Sequence, residues 1–176
     1  MNIQLGIYQI RSYKMNDKNA LIKYANNNNI SKNLRDSFPY PYTEREAQAW
    51  ITAAIIQIPE LNFVIANSNE LIGGIGLMLQ SDVYRFSAEI GYWIAEPFWG
   101  KGIASIALVA LTKYAFNQFD LNRIFAGAFE GNGASMRVLE KSGFKLEGRL
   151  RNAVYKDNRF KDQLMYSILK EDLLEQ

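Results

Sequence analysis

The stretch with the clearest chemical potential is a strand, a turn with two glycines and an apolar helix, within residues 86–116. Apolar side chains alternate along residues 86–94, and Glu89 lies among the side chains of the opposite face. Gly100 and Gly102 let the turn curl tightly and let a ligand approach the backbone. The helix that follows opens with unpaired N–H groups and the positive end of its dipole. This pattern predicts a site for a phosphate or pyrophosphate.

The amino-acid composition restricts the chemistry that the chain could perform. The chain has 0 Cys and 0 His, which excludes a thiol nucleophile, a disulfide framework and Ser-His-Asp catalysis. It also removes the commonest metal ligand, and we predict no metal. Acid–base work would fall to Glu, Asp, Tyr, Lys, Ser or water. Acyl transfer from a thioester to an amine fits this restriction, because the thiolate leaves easily and the substrate brings the nucleophile.

Length and charge argue for one domain without a nucleic-acid partner. The 176 residues are 48% hydrophobic, which predicts a single domain over 1–176 with a substantial core. The 20 basic and 18 acidic residues are too balanced to predict a nucleic-acid partner. Residues 1–5 lack a signal-peptide pattern, and apolar runs such as 51–58 are too short to span a bilayer. We therefore expect a cytoplasmic protein with no membrane partner.

Hydrophobic periodicity and turn chemistry predict an α+β fold. A strand, a helix and another strand follow one another within residues 86–129, which predicts one parallel crossover in a mixed, mostly antiparallel sheet flanked by helices. The strands are expected at 3–11, 62–66, 71–79, 86–94, 121–129, 145–156 and 159–169, the last two joined by a turn at Asp157 and Asn158. The helices are expected from Asn16 to about 25, from Thr43 to Pro59, from about Lys101 to Phe116, and from Asn132 to Ser142, with Gly143 ending the last.

Some segments and helix faces carry more specific expectations. The polar run 26–29 predicts a solvated loop, and the segment around Pro39 and Pro41 is either a rigid connector or a lip over a substrate cleft. Gly73, Gly74 and Gly76 predict the close approach of another backbone or a ligand. The buried stripe of the second helix is expected at Ala47, Trp50, Ile51, Ala54, Ile55 and Ile58. For the third helix, Ile103, Ile106, Ala107, Ala110, Leu111 and Tyr114 should face inward, and Ser105, Thr112, Lys113 and Asn117 outward.

Four stretches together resemble the GNAT acetyltransferase superfamily, specifically its RimJ/RimL-type members. They are FPYPYT (38–43) running into Trp50, AEIGYWI (88–94), WGKGIA (99–104), and NGAS (132–135) with SGF (142–144). The resemblance covers essentially the whole chain and implies the GNAT fold with acetyl-CoA as cosubstrate. Trp99 stands where the superfamily often has Gln or Arg, but backbone amides rather than that side chain bind the pyrophosphate.

The resemblance also implies roles for individual residues. Backbone groups near Trp93, Ile94 and Ala95 would hold the pantetheine amides in a gap where strand 86–94 and strand 121–129 splay apart. The pyrophosphate would lie on the stretch Gly100, Lys101, Gly102, Ile103, Ala104 and Ser105. Glu89 is the candidate general base, or a structural strand residue. Ser135 is the candidate that protonates or hydrogen-bonds the departing thiolate, or a residue that bonds the backbone. Asn132 would cap its helix and also contact the pantetheine arm.

The favoured function is N-acetyl transfer by direct attack of a primary amine. An α-amino group has a pKa of about 7.7–8.0 and a lysine about 10.4, so one carboxylate suits an α-amine better. We therefore favour a protein N-terminal α-amine, of the ribosomal-protein type, as acceptor. A small-molecule amine acetyltransferase, acting on an antibiotic, a polyamine or an amino acid derivative, is the alternative, and a non-catalytic acyl-CoA sensor is another. The aromatics Phe38, Tyr40 and Tyr42 could support a homodimer.

Overall fold

The computed structural model describes residues 1–173 and contains eight strands and five α-helices. The strands are β1 (Asn2–Leu5), β2 (Tyr8–Arg11), β3 (Asn62–Ala66), β4 (Leu71–Leu79), β5 (Ser87–Ile94), β6 (Arg123–Phe129), β7 (Lys145–Lys156) and β8 (Arg159–Leu169). The helices are α1 (Lys18–Ala25), α2 (Asn28–Ser31), α3 (Glu44–Ile56), α4 (Ile103–Gln118) and α5 (Gly133–Lys141). The strands form a mixed sheet in the order β1-β2-β3-β4-β5-β6-β8-β7, so the predicted fold class is confirmed.

The chain divides into two compact units, and the first contains residues 1–76 and 92–107. In this unit β1, β2, β3 and the first part of β4 pair in antiparallel fashion. Helices α1 and α3 contribute Leu21 and Ile51 to a buried cluster that also contains Val64 of β3. Helix α3 begins at a capping box, in which the Thr43 N–H donates to the Glu46 carboxylate at 3.1 Å, as the sequence predicts.

The second unit contains residues 77–91 and the described residues from 108 onward. Here β6 pairs with β8 and β8 with β7, both antiparallel, while β5 and β6 run parallel. The predicted parallel crossover is therefore confirmed. Gly143 ends α5 with a φ of +87°, and the Phe144 N–H donates to the Leu139 carbonyl at 3.0 Å. Asp157 and Asn158 turn the β7–β8 hairpin at φ values of 52° and 59°, also as predicted.

Three predictions for the N-terminal region are wrong. Residues 3–11 form two strands, because Gly6 turns the chain at a φ of +65° and β1 and β2 pair as a hairpin. Asn16 does not cap a helix; a 3-10 turn at Met15–Asp17 precedes α1, and the Asp17 carboxylate accepts the Lys14 N–H at 2.8 Å. The run 26–29 is not a loop, since Asn27 caps the short helix α2.

Two predicted helix faces are only partly correct. In α3, Ala47, Ile51 and Ala54 are buried, but Trp50 and Ile55 are exposed. Ile58 lies beyond the end of α3 at Ile56 and is also exposed, so the buried stripe is narrower and shorter than its pattern suggests. In α4, Ile106 is 44% exposed and Thr112 only 1% exposed, which reverses both expectations. Helix α4 is apolar on nearly every side, so its composition does not determine which face is covered.

The predicted close approach at the β4 glycines is confirmed. A Cβ on Gly73 would lie 2.4 Å from the Trp93 carbonyl oxygen, and one on Gly74 would lie 2.6 Å from the Trp93 Nε1. A Cβ on Gly76 would lie 2.4 Å from the Asn62 Oδ1. Because Gly73 and Gly74 have no side chains, the backbone and indole of Trp93 can pack directly against β4.

Candidate active site

The predicted anion site is an open loop that leads into α4 in the first unit. A 3-10 turn at Glu96–Phe98 precedes Gly100 and Gly102, whose φ values are +74° and +75°. A Cβ on either glycine would meet no heavy atom within 4 Å, so backbone conformation rather than packing requires glycine here. The Ile106 N–H donates to the Gly102 carbonyl at 3.2 Å, so the first hydrogen bond of α4 starts at this carbonyl and Gly102 is the N-cap residue. The loop therefore presents a helix N-terminus to open space.

The end of β5 is fixed to β4 by one hydrogen bond and to this loop by two. The Ala95 N–H donates to the Ile72 carbonyl at 2.8 Å, and the Phe98 N–H donates to the Ala95 carbonyl at 2.9 Å. The Trp99 Nε1–H donates to the Ile94 carbonyl at 2.6 Å. Because the sheet uses the Ala95 N–H, Ile94 and Ala95 would offer a ligand the second lone pairs of their carbonyls. Trp99, the residue that departs from the superfamily pattern, thus holds the loop against the strand.

Aromatic side chains surround Trp93 in the same unit. The Phe38 ring lies 5.6 Å from the Trp93 ring, edge to face, and 5.1 Å from the Tyr42 ring. The Pro39–Pro41 segment is thereby packed against the strand that leads to the loop. Sequence reasoning had included Trp93 only for its backbone, and the contact of its side chain with Phe38 has no local sequence signal.

Lys101 and Glu96 flank the loop with opposite charges. The Lys101 ammonium lies 5.2 Å from the centre of the Phe98 ring, and Lys101 is exposed. Glu96 accepts hydrogen bonds from the side chains of Asn27 and Asn29, which lower the pKa of its carboxyl. These two asparagines were predicted to lie in a solvated loop, and their partner Glu96 lies far away in the sequence.

Glu89 lies in the second unit, where the parallel ladder ends. Ser87–Glu89 pair with Arg123–Phe125, and Glu89 stands opposite Phe125 in the last of these pairs. Strand β6 continues for four residues beyond that pair. Glu89 is half-buried, and Ala88 and Ile90 on either side of it are buried, so the predicted alternation holds here. The separation of β5 and β6 into a coenzyme gap stays a prediction.

Asn132 and Ser135 lie at the start of α5, also in the second unit. The Asn132 Oδ1 accepts the Ser135 backbone N–H at 3.3 Å, which confirms the predicted helix cap. Gly131, just before the cap, has a φ of +88°. Both Asn132 and Ser135 are half-buried. The cap uses the backbone of Ser135, so its hydroxyl does not contribute to that bond.

Other features of the described residues give no competing site. Within residues 1–173, no group of three or more His, Cys, Asp or Glu side chains is arranged to hold a metal ion. No helix in this range is both long and apolar enough to cross a bilayer. A polar hollow of the first unit, lined by residues such as Arg11, Asp17, Asn69 and Glu70, includes none of the predicted site residues. The site prediction therefore rests on the loop geometry and not on this hollow.

Comparison with known families decides the identity of the fold. The model of the acetyltransferase (GNAT) domain matches residues 9–145. The chain belongs to the GNAT acetyltransferase family. The matched range contains all the residues to which we assigned catalytic or coenzyme-binding roles.

Individual GNAT relatives extend the match to nearly the whole chain. "Putative ribosomal N-acetyltransferase YdaF" of Bacillus subtilis is 40% identical over 119 residues, 66% of this chain and 64% of that protein. "Uncharacterized N-acetyltransferase YnaD" of the same organism is 30% identical over 98% of this chain and 99% of its own length. The solved structure of Mycobacterium smegmatis RimJ in complex with CoA-disulfide has a TM-score of 0.84 at 25% identity and covers 94% of this chain and 83% of that chain.

Membership of the GNAT family fixes the general reaction. This GNAT protein is an acetyltransferase that uses acetyl-CoA as its acyl donor and an amine as its acceptor. The resemblance to RimJ/RimL-type enzymes that the sequence suggested is confirmed.

Proposed function

We propose that this enzyme acetylates the N-terminal α-amine of a protein, by direct attack of the amine on acetyl-CoA. One observation carries the proposal: the open loop with Gly100 and Gly102 at positive φ, directly ahead of α4, in a chain of the GNAT family. The named ribosomal activity of a relative that is 40% identical supports a ribosomal-protein acceptor.

The coenzyme would be held mainly by main-chain groups. The N–H groups of Gly100–Ser105 would bind the pyrophosphate, assisted by the helix dipole of α4 and the charge of Lys101. Carbonyl groups of the Trp93–Ala95 stretch would bind the pantetheine amides, and Asn132 would add a contact through its side chain. Backbone donors suit this task because they are fixed by the fold before the ligand arrives.

Glu89 and Ser135 are assigned the proton transfers. Glu89, directly or through a water, would accept the proton that the amine loses as its nitrogen forms a bond to the thioester carbon. A strand N–H would stabilise the negative oxygen of the tetrahedral intermediate. When the C–S bond breaks, the Ser135 hydroxyl would hydrogen-bond or protonate the departing thiolate. No acetyl-enzyme is formed, which fits a chain with 0 Cys and 0 His.

The segment from Phe38 to Tyr42 is assigned to the acceptor side. It packs on Trp93 through Phe38, and Tyr40 in its centre is 55% exposed. Two prolines, Pro39 and Pro41, stiffen the segment, so that it could meet a substrate without first becoming ordered. Of the two interpretations that the sequence left open, this contact favours a lip rather than a simple connector.

An acceptor screen tests the proposal. Thiol release from acetyl-CoA is measured with peptides that differ in their first residue, with polyamines and amino acid derivatives, and with peptides whose α-amine is blocked but which contain lysine. We expect release with free N-termini and none with the blocked controls. Release with small amines alone would assign the small-molecule activity instead, and acetyl-CoA binding without any release would indicate a sensor.

A further inference from the structure

The carboxylate of Glu96 joins two segments that are far apart in the sequence. The Asn27 Nδ2 donates to the Glu96 Oε2 at 2.6 Å. The Asn29 Nδ2 donates to the Glu96 Oε1 and Oε2 at 3.2 and 3.3 Å. Glu96 begins the 3-10 turn that leads into the glycine loop, whereas Asn27 is the N-cap of α2 and Asn29 lies in the first turn of that helix.

The orientation of the Asn27 carboxamide is fixed from both of its ends. Its Oδ1 accepts the Asn29 backbone N–H at 2.7 Å and thereby caps α2, while its Nδ2 donates to Glu96. A flip of this carboxamide would lose both hydrogen bonds. Hence the start of α2 and the start of the loop are held by the same side chain.

Neighbouring contacts secure both ends of the segment 27–42. At its beginning, the Tyr24 ring lies 5.8 Å from the Phe98 ring, edge to face. Near its end, Phe38 packs against Trp93, and the Tyr42 N–H donates to the Asn26 Oδ1 at 3.1 Å. The segment is therefore attached to residues 93–98 near both of its ends, and its last part, residues 38–42, is the aromatic lip.

We propose that Glu96 is a positioning residue that couples the coenzyme loop to the acceptor lip through Asn27 and Asn29. This inference rests on the proposed function, because it takes the loop as the acetyl-CoA site and the segment 38–42 as the acceptor side. When the carboxylate holds both asparagines, binding of acetyl-CoA to the loop also favours the acceptor-binding arrangement of the lip. By linkage, the acceptor favours coenzyme binding by the same factor.

The hydrogen bonds to Glu96 favour the charged form of its carboxylate. The bond from Asn27, followed by those from Asn29, lowers the pKa of Glu96, and the nearby Lys32 acts in the same direction. Glu96 is therefore ionised at neutral pH, and a variant with a neutral side chain loses the strength of charge-assisted hydrogen bonds.

Steady-state kinetics of Glu96→Ala, Glu96→Gln and the double variant Asn27→Ala/Asn29→Ala test the coupling. We expect Glu96→Ala to raise the KM for acetyl-CoA and the KM for the acceptor, each by roughly five- to twentyfold, with kcat changed less than threefold. Glu96→Gln, which keeps one acceptor oxygen, should lie between the wild type and Glu96→Ala. The triple variant, which combines Glu96→Ala with Asn27→Ala and Asn29→Ala, should have KM values no higher than those of the double variant, because all three residues act through one contact.

Glu44→Ala is the matched control. Glu44 is also an exposed glutamate of the same unit whose pKa is lowered by a hydrogen bond, in its case from Lys18 at 2.6 Å, and it belongs to neither the loop nor the lip. We expect this control to leave both KM values within twofold of the wild type. A Glu96→Ala variant that matches this control in both KM values would overturn the inference, as would a rise in only one of them.

Hydrogen exchange gives a second readout that does not need turnover. In the wild type, free CoA should slow amide exchange in residues 27–42 as well as in the loop, and in Glu96→Ala it should slow exchange in the loop alone. Equal protection of residues 27–42 in both proteins would overturn the coupling while leaving the proposed function intact. If the wild type takes up no CoA by calorimetry, the proposed function fails first and the coupling fails with it.

Discussion

The indole of Trp99 donates a 2.6 Å hydrogen bond to the carbonyl of Ile94. It thereby joins the loop that contains Gly100 and Gly102 to the last residue of β5. The superfamily often has Gln or Arg at this position, and Trp keeps a donor while adding a rigid ring. The side chain is 46% exposed, so burial is not its main contribution. The bond instead determines where the loop begins relative to the strand.

Removal of this donor should weaken coenzyme binding. Trp99→Phe keeps the aromatic ring and loses only the N–H, so the Kd for acetyl-CoA should rise by roughly three- to tenfold, the equivalent of one hydrogen bond. Titration calorimetry measures the Kd. Trp50→Phe is the comparison, since Trp50 is 41% exposed on α3 and should leave the Kd unchanged. Equal affinity in all three proteins would remove the assigned role of Trp99.

The positive φ of Gly102 should make this position intolerant of a side chain. Gly102→Ala forces an L-residue into the left-handed region at a cost of about 1–2 kcal/mol, or shifts the loop to avoid it. Coenzyme affinity should fall at least tenfold. Gly148→Ala serves as control, because a Cβ there also meets open space but the backbone has no positive φ. Unchanged coenzyme affinity in Gly102→Ala would show that coenzyme binding does not depend on the positive φ at this position.

Glu89→Gln tests the assigned general base with a nearly isosteric change. The rate at neutral pH should fall by roughly 10²- to 10⁴-fold, and the Kd for acetyl-CoA should stay the same. Raising the pH should restore part of the rate, because a larger fraction of the α-amine is then already deprotonated. Glu147→Gln, a change of an exposed strand carboxylate, should keep the wild-type rate. Turnover of Glu89→Gln at the wild-type rate would assign Glu89 to the structure alone.

Ser135→Ala separates catalysis from helix capping. The capping hydrogen bond runs from the Ser135 backbone N–H to the Asn132 Oδ1, so removal of the Ser135 hydroxyl leaves that bond in place. We expect kcat to fall by about tenfold, the loss of roughly one hydrogen bond to the leaving group, with little change in Tm. Asn132→Ala is the contrasting variant, since loss of the cap should cost about 1 kcal/mol of stability. A Ser135→Ala protein with lower Tm and normal kcat would contradict the assignment.

Burial of Tyr13 predicts a loss of stability at high pH. Burial raises the pKa of its phenol from 10.0 to about 12, against a hydrogen bond from Trp50 that lowers it. Between those values the unfolded chain loses the phenolic proton and the folded chain keeps it. The free energy of unfolding should therefore fall as the pH rises from 10 to 12, by up to about 2–3 kcal/mol.

Denaturant unfolding of Tyr13→Phe across this pH range isolates the effect. The variant should lose less stability than the wild type between pH 10 and pH 12. Tyr84→Phe, a change of a side chain that is 69% exposed, should follow the wild-type curve. Parallel curves for the wild type and Tyr13→Phe would mean that this phenol does not control the alkaline limit.

Features with a local cause were predictable from the sequence. The turn at Asp157 and Asn158, the cap at Asn132 and the ending at Gly143 each follow from the conformational preference of one or two residues. The glycine loop belongs to the same class. Its place in a strand–turn–helix unit could be inferred because the flanking periodicity is clear, and the family match covers the loop.

Features with a distant cause could not be predicted. Nothing near Asn27 indicates a partner 69 residues further along the chain. A residue that caps α2 and donates a hydrogen bond to Glu96 was therefore predicted to lie in a loop. Thr112 was expected to face outward because threonine is polar, yet tertiary packing buries it at 1% exposure. The hairpin at Gly6 was missed because the apolar pattern of residues 3–11 continues across the turn.

The hydrogen bonds that fix Ile94, Ala95 and Trp99 to one another are complete without a ligand. A binding surface that is already formed requires little ordering when the coenzyme arrives, and its proposed contacts are with the pantetheine and pyrophosphate end of the molecule rather than with the acetyl group. Free CoA, the product of each turnover, carries that same end. We therefore expect strong product inhibition, competitive with acetyl-CoA, so that departure of CoA sets the pace of the enzyme when the acceptor is abundant.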